Sequence, residues 1–162
     1  MISYSTISPR NLLKEEKSLI LPSLKVEDGL EIGGIANSFG VLRNLPIAVE
    51  VRIGDWMIYH ASLPGSSAAN QDWINRKARV VQLKHHSTLY ERVNAQVLNF
   101  DWFKEHNLTE DTHAIHGGGI PLITQVDGFL GCLLISGLPQ VDDHLFGVEV
   151  LTEFLSRKGE LL

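Results

Sequence analysis

The 162-residue sequence lacks most features that mark specialised protein classes. It has a single cysteine, Cys132, which excludes an internal disulfide and lies in the apolar segment 129–135. That setting predicts a buried, unreactive thiol and a reducing, cytoplasmic location. No apolar run approaches the roughly 20 residues that cross a bilayer. The N-terminus also lacks the pattern of a signal peptide. Neither export nor membrane insertion is expected.

Positive charge is scarce and dispersed. The sequence has 14 Lys and Arg residues against 19 Asp and Glu residues, a formal net charge of −5, and no basic run. Binding to nucleic acid phosphates or anionic membranes relies on clustered Lys and Arg. We therefore expect neither nucleic acid nor membrane partners.

Signature motifs of several enzyme classes are also missing. The sequence contains no P-loop, no GxGxxG dinucleotide motif, no HExxH zinc motif, no GxSxG nucleophile elbow and no CxxC pair. Without CxxCH, haem is not attached through thioethers. No nucleophile, metal set or acid–base pair stands out, so no catalytic residue is predicted and an enzyme has the least support.

The order of predicted elements indicates an α+β fold in one domain spanning residues 1–162. Helical spacing predicts helices from Pro9 to before Pro22, from about residue 28, over 70–84 with Asn70 as N-cap, over 87–103 and over 141–157. Alternation predicts two hairpins, with strands at 47–53, 56–62, 120–126 and 129–136. We expect one antiparallel sheet of four or five strands with helices packed on it.

Two helices carry packing signals. The adjacent glycines Gly33 and Gly34 predict a close approach of the second helix to a flat surface such as a sheet. The last helix has apolar residues over a broad arc, which predicts burial on more than one side and favours self-association.

The first candidate site is the segment from His113 to Gly117, Gly118 and Gly119. Two histidines three residues apart, His113 and His116, share a metal only on a helix, and the glycines favour a loop. Structural or capping roles are therefore favoured over zinc, and no metal site is predicted. Consecutive glycines predict positive φ or a close approach by another group, and a ligand is one candidate.

The second candidate site is the turn from Ser136 and Gly137 into the last helix, up to His144. Free N–H groups at a helix start bind anions, and the glycine lets a carboxylate or phosphate come close. Alternatively, Asp142 and Asp143 satisfy these groups themselves and repel an anion. The sequence leaves both interpretations open.

The third candidate site is the helical set Asn70, Trp73, Arg76 and Lys77. Trp73 and Lys77 share one helical face, where an aromatic plane beside a cation suits a flat, acidic molecule. The alternative places Trp73 in the core and both cations in solvent.

These motifs together resemble the haem-degrading-domain family, which groups relatives of GlcG, HbpS and the PduO C-terminal domain. The chain looks closest to the family's short, single-domain branch. The resemblance covers about residues 25–155 and rests on the segments LPIAVEVR (45–52), LPG (63–65), NQDWINRK (70–77), HGGGIP (116–121), SGLPQ (136–140) and DH (143–144).

The resemblance implies a profilin-like fold, with the sheet between helical layers, and a homo-oligomer. It also implies binding of haem, which needs an apolar slot, an axial ligand and partners for its propionates. His116 is the first choice of axial ligand, with the turn at Ser136 and Gly137 and Arg76 or Lys77 as propionate partners.

Two functions of different classes follow. The first is a small-ligand-binding module for haem or a related acidic cofactor. The alternative is an oligomeric interaction or scaffold protein without a cofactor, in which the same glycines and turn serve packing. The predicted ligand-binding residues are Asn70, Trp73, Arg76, Lys77, His116, Gly117, Gly118, Gly119, Ser136, Gly137 and His144.

Overall fold

The computed structural model describes residues 7–160, and this part of the chain forms six helices and four strands. The helices are α1 (Pro9–Ser18), α2 (Val26–Leu42), α3 (Ala68–Lys84), α4 (Thr88–Val97), α5 (Trp102–His106) and α6 (Gln140–Glu160). The strands are β1 (Ala48–Ile53), β2 (Trp56–Ser62), β3 (Gly119–Thr124) and β4 (Gly128–Ser136).

The strands form one sheet in the order β2-β1-β4-β3, with every neighbouring pair antiparallel. Both predicted hairpins are confirmed, and their turn glycines, Gly54 and Gly128, have φ of +58° and +72°. Leu21 bonds to the outer edge of β3, its N–H lying 2.8 Å from the carbonyl oxygen of Ile123. The sheet is therefore the predicted four-stranded antiparallel one.

Helices cover both faces of this sheet. Val49 and Val51 of β1 are fully buried in the larger core cluster, which contains residues of α2 and α6. Ala48, the neighbour in sequence, belongs to a second cluster with Ile74 and Ala78 of α3. Alternation in β1 thus places helices on two sides, and the predicted α+β architecture with the sheet between helical layers is confirmed.

The glycine pair of α2 and the apolar arc of α6, which were predicted to mark close packing, have different outcomes. A Cβ on Gly33 would lie 2.2 Å from the Tyr59 ring of β2, which confirms close packing there, whereas Gly34 has nothing within 4 Å. The apolar arc of α6 is buried within its own chain, since Phe146, Val150 and Phe154 all join the larger core. Packing within the chain accounts for part of the arc, while Leu145, Val148 and Leu155 stay partly exposed, and self-association stays a prediction.

Several predicted boundaries were wrong. The helix expected over 87–103 is two helices, because Asn99 adopts a φ of +56° and Asp101 caps α5. Helix α3 begins earlier than predicted, with Ser67 as its N-cap. Asn70 instead lies one turn inside, where its Oδ1 accepts the Ser67 N–H at 2.8 Å. Strand β3 ends at Thr124, two residues early.

Two expectations from the composition concern the thiol of Cys132 and membrane-spanning helices. Cys132 is fully buried, and burial raises the pKa of its thiol to about 12, which confirms the unreactive thiol. Within residues 7–160, none of the helices is both long and apolar enough to span a bilayer.

Candidate functional site

A cleft of about 250 Å³ opens where the first half of α3 meets the glycine segment 117–119 and the turn between β4 and α6. All three predicted candidate segments contribute to this one place, which we call the polar cleft. Its lining residues are Asn70, Trp73, Lys77, His116, Ser136, Gly137, Leu138, Gln140 and Asp143.

A buried ion pair forms the base of the polar cleft. Lys77 Nζ donates to the carbonyl oxygen of Ile135 at 2.8 Å and to Asp143 Oδ2 at 3.2 Å. Only 2% of the Lys77 side chain and 4% of the Asp143 side chain are exposed. Burial lowers the pKa of Lys77 and raises the pKa of Asp143, while each charge opposes the shift of the other. The pair ties α3 to the start of α6.

Asp143 also decides the open question at the start of α6. Its Oδ1 accepts the N–H of Leu138 at 2.9 Å, and its carboxylate accepts the N–H of Gly137 as well. An acidic side chain therefore satisfies these two N–H groups, which precede α6, as the second interpretation expects for the turn. They are not free to bind a propionate, and a propionate role of the Ser136 side chain stays a prediction.

The side chain of Ser136 remains available at the cleft wall. Its Oγ accepts a hydrogen bond from Asn70 Nδ2 at 3.1 Å, and the serine is 3% exposed. A hydroxyl that accepts one bond retains its own proton for donation. Asn70 thereby joins the N-terminus of α3 to the end of β4.

Trp73 and His116 line the opposite side, with Arg76 against the Trp73 ring. The His116 ring meets Trp73 edge-on, with centroids 4.7 Å apart, and the Arg76 guanidinium lies 4.0 Å from the Trp73 ring centroid. Burial lowers the pKa of His116, and the positive charges of Arg92, Lys77 and Arg76 lower it further against the opposing effect of Glu110. His116 is therefore a neutral imidazole at neutral pH in a positive local potential.

The three glycines pack against the protein itself. Gly118 has a φ of +123°, and a Cβ there would lie 2.3 Å from the Ile135 carbonyl oxygen and 2.8 Å from Lys77 Nζ. A Cβ on Gly117 would lie 2.3 Å from the Gln140 carbonyl oxygen, and one on Gly119 would lie 2.8 Å from Thr88. The predicted close approach is confirmed for chain neighbours, which fill the space first offered to a ligand.

Two histidines of the candidate segments point elsewhere. His113 Nδ1 lies 2.7 Å from Thr112 Oγ1, and its ring centroid is 6.4 Å from that of Trp102. His144 Nε2 lies 2.6 Å from Glu15 Oε1, and His144 lines a different cavity. The Cβ of His144 lies close to Gly117, but its ring turns away from the polar cleft toward Glu15.

A second polar cluster was missed in the sequence. Glu50 of β1 is only 1% exposed, and its carboxylate bonds to Arg52, to His60 Nδ1 at 3.0 Å and to Gln71 Nε2 at 3.2 Å. The available signal was the polar pair Gln71 and Asn75, which are spaced to face this strand from α3. The cluster holds the β1–β2 hairpin against α3.

The geometry defines a class of protein: an α+β sandwich with a polar cleft, built over a buried Lys–Asp pair, at the end of the central strand β4. Comparison with known sequences gives the family. Residues 24–152 match the family described as haem degrading protein HbpS-like, and the chain belongs to it.

Individual relatives agree with this assignment. A UPF0303 protein of Streptomyces avermitilis is 36% identical over 146 residues, which cover 88% of each chain. A UPF0303 protein of Streptomyces coelicolor is 33% identical over 89% of this chain and 91% of its own.

Solved structures share the fold. The crystal structure of Ybr137w superposes with a TM-score of 0.82 at 25% identity, covering 91% of this chain and 88% of that one. The complex of PduOC with heme has a TM-score of 0.67 at 17% identity, covering 80% and 94% of the two chains. HbpS has a TM-score of 0.61 at 16% identity, covering 82% and 89%.

Proposed function

We propose that this chain is a small-ligand-binding module whose polar cleft takes the acid group of a flat, acidic molecule. One observation carries the proposal: the Lys77 ammonium, the Ser136 hydroxyl and the His116 ring line one cleft. Polar donors that meet in a concave site, one of them cationic, favour an anion.

Specific donors in the cleft match an acid group. Lys77 has three N–H donors and uses two, on Ile135 and Asp143, so that one remains. The Ser136 hydroxyl also retains its proton, because Asn70 is its donor. Charge-assisted hydrogen bonds of this kind are stronger than neutral ones. The Trp73 ring provides an apolar surface for the body of a flat ligand beside these donors.

Haem is one candidate ligand, because each of its propionates is an acid group. Membership of the HbpS-like family and the fold shared with PduOC, which was solved with heme, support it as a candidate. The cleft of about 250 Å³ is, however, smaller than the roughly 300–1,000 Å³ of typical ligand pockets, and most of its lining residues are polar. It fits a propionate and does not enclose the macrocycle. His116 as an axial ligand therefore stays a prediction.

Benzoate is a suitable probe because it combines a flat ring with one carboxylate. We expect a benzoate titration of the ¹⁵N-labelled protein to shift the amide signals of residues 117–119 and 136–138 saturably. His116→Ala and Arg76→Gln should each weaken binding by about tenfold, the scale of one lost charge-assisted contact. Arg79→Gln is the matched control, because Arg79 lies on the same helix and bonds to a backbone carbonyl, that of Thr112, as Arg76 does to that of Glu110, but its charge does not act on His116.

A parallel absorbance titration with hemin separates the candidate ligands. A saturable Soret shift that His116→Ala abolishes supports haem as the ligand of this cleft. Benzoate binding without any hemin response supports a smaller acid. If neither probe perturbs the cleft, the proposal is wrong and the interaction or scaffold function gains support. Size-exclusion mass on the same samples checks the homo-oligomer, which stays a prediction from the family resemblance.

A further inference from the structure

A second cavity, which we call the apolar cavity, lies between α1, α4 and the first turns of α6. Its volume of about 440 Å³ falls within the roughly 300–1,000 Å³ typical of small-molecule sites. Its walls include the aliphatic side chains Leu12, Leu89, Leu145 and Val148. Leu12 and Leu89 are almost completely buried, at 4% and 2% exposed, so the walls belong to the packed body of the protein.

Polar residues of α1 interrupt these apolar walls: Asn11, Lys14, Glu15 and Ser18 line the same cavity, and Glu15 is hydrogen-bonded to His144 of α6. His144 Nε2 lies 2.6 Å from Glu15 Oε1, and their side chains are only 2% and 13% exposed. The other ring nitrogen, His144 Nδ1, is buried without a hydrogen-bond partner in the part of the chain that the structure describes. This nitrogen has essentially no accessible surface, so it lowers the stability of the fold and is not open to a ligand in the cavity.

We propose that the apolar cavity binds a neutral, mainly apolar small molecule that carries an N–H or O–H group. The aliphatic walls bury the body of the molecule, and the donor group pairs with the Glu15 carboxylate. Lys14 and Glu15 place one charge of each sign in the wall, so the cavity has no excess charge that would favour an acid or a base. This ligand class is distinct from the acid of the polar cleft, and the inference is independent of the proposed function.

N-phenyl-1-naphthylamine is a direct probe, because it is a neutral, apolar amine with one N–H whose fluorescence rises when it leaves water. We expect a saturable fluorescence increase with one probe bound per chain of the intact protein. Leu145→Trp places a larger side chain in the cavity and should weaken binding at least about tenfold. Val148→Phe fills the same space from the next turn of α6 and provides a second, milder variant.

Val126→Trp is the matched control, since Val126 is 85% exposed at the far hairpin. Circular dichroism verifies the fold of each variant, and benzoate binding in the polar cleft should be unchanged in Leu145→Trp. The proposal is overturned if the intact protein gives no saturable increase. It is also overturned if folded Leu145→Trp and Val148→Phe both bind the probe as the original chain does.

Discussion

The polar cleft and the apolar cavity are built from adjacent residues at the start of α6. Asp143 lines the first and His144 lines the second, yet the two sites differ in their polar balance. In the cleft, Asp143 bonds to Lys77 and to two backbone N–H groups. In the cavity, His144 has one partner, Glu15, and keeps one nitrogen unpaired. Two consecutive residues in one helical turn therefore line a site for a charged group and a site for an apolar molecule.

The difference arises because the side chains of a single helical turn contact two different helices. Consecutive residues of a helix point about 100° apart, because the helix has 3.6 residues per turn. The side chain at position 143 meets α3, whose Lys77 supplies the charge, whereas the side chain at 144 meets α1, whose Leu12 supplies apolar surface. The chemistry of each site is thus set by the helix that packs opposite.

The largest expected effect comes from breaking the buried ion pair of the cleft. Lys77→Met leaves the Asp143 carboxylate buried without its cation, which should lower the free energy of unfolding by about 3–5 kcal/mol. Chemical denaturation at neutral pH measures this loss. Adding Asp143→Asn removes the stranded charge and retains an acceptor for the Leu138 N–H, so the double variant should recover most of the stability. A double variant no more stable than Lys77→Met would contradict this explanation.

The ion pair of Lys77 and Asp143 shows which features of the site could be predicted from the sequence and which could not. The sheet was predictable because its signals are local: Val49 and Val51 alternate with polar neighbours, and Gly54 and Gly128 supply the turn conformations. Lys77 was found as a candidate from its helical spacing to Trp73. Its partner was not assigned, because the contact between Lys77 and Asp143 spans 66 positions.

The orientation of the His144 side chain could not be predicted from the sequence either. In sequence it directly follows Asp143, and its motif was assigned to the cleft. Its ring instead bonds to Glu15, 129 positions away, because α1 packs beside α6. Likewise, the sequence assigned no partner to Glu50, which is buried because Gln71 of α3 covers that face of β1. Such outcomes depend on which elements meet, and no local pattern encodes them.

A smaller effect is expected from breaking the hydrogen bond between Glu15 and His144 in the cavity. Glu15→Leu leaves both nitrogens of the buried His144 ring without a protein partner, which should cost about 1–3 kcal/mol. Because the surrounding walls are apolar, Glu15→Leu combined with His144→Leu should be nearly as stable as the original chain. Thermal and chemical denaturation of the single and double variants check this. If Glu15→Leu leaves the free energy of unfolding unchanged, the pair contributes nothing to stability.

The pH dependence of anion binding distinguishes the two sites further. In the free protein the pKa of His116 lies below its ordinary value of 6.5, so the ring is neutral at pH 7. A bound carboxylate favours the protonated ring and raises this pKa, so binding takes up a proton. Benzoate affinity should therefore increase as the pH falls from about 7.5 to 5.5, by roughly tenfold for each unit of pKa change.

His116→Gln should remove this pH dependence while leaving a polar side chain at the same place. Binding of N-phenyl-1-naphthylamine in the apolar cavity serves as the internal comparison, since no anion enters there. Benzoate affinity that is flat across this range in the original chain would contradict a role of His116 beside the acid group.

The smallest expected change in stability comes from Asn70→Asp, which separates the cap of α3 from the wall of the cleft. Aspartate retains an acceptor for the Ser67 N–H, and a negative charge suits the first turn of a helix. The donor to Ser136 is lost, so the free energy of unfolding should fall by less than about 1 kcal/mol. Benzoate binding should weaken much more, because a carboxylate then faces the acid group. Asn70→Ala reverses the pattern, since it removes the cap acceptor without adding charge. Equal effects of both variants on benzoate affinity would show that Asn70 acts only as a helix cap, and that the acid group binds elsewhere in the cleft.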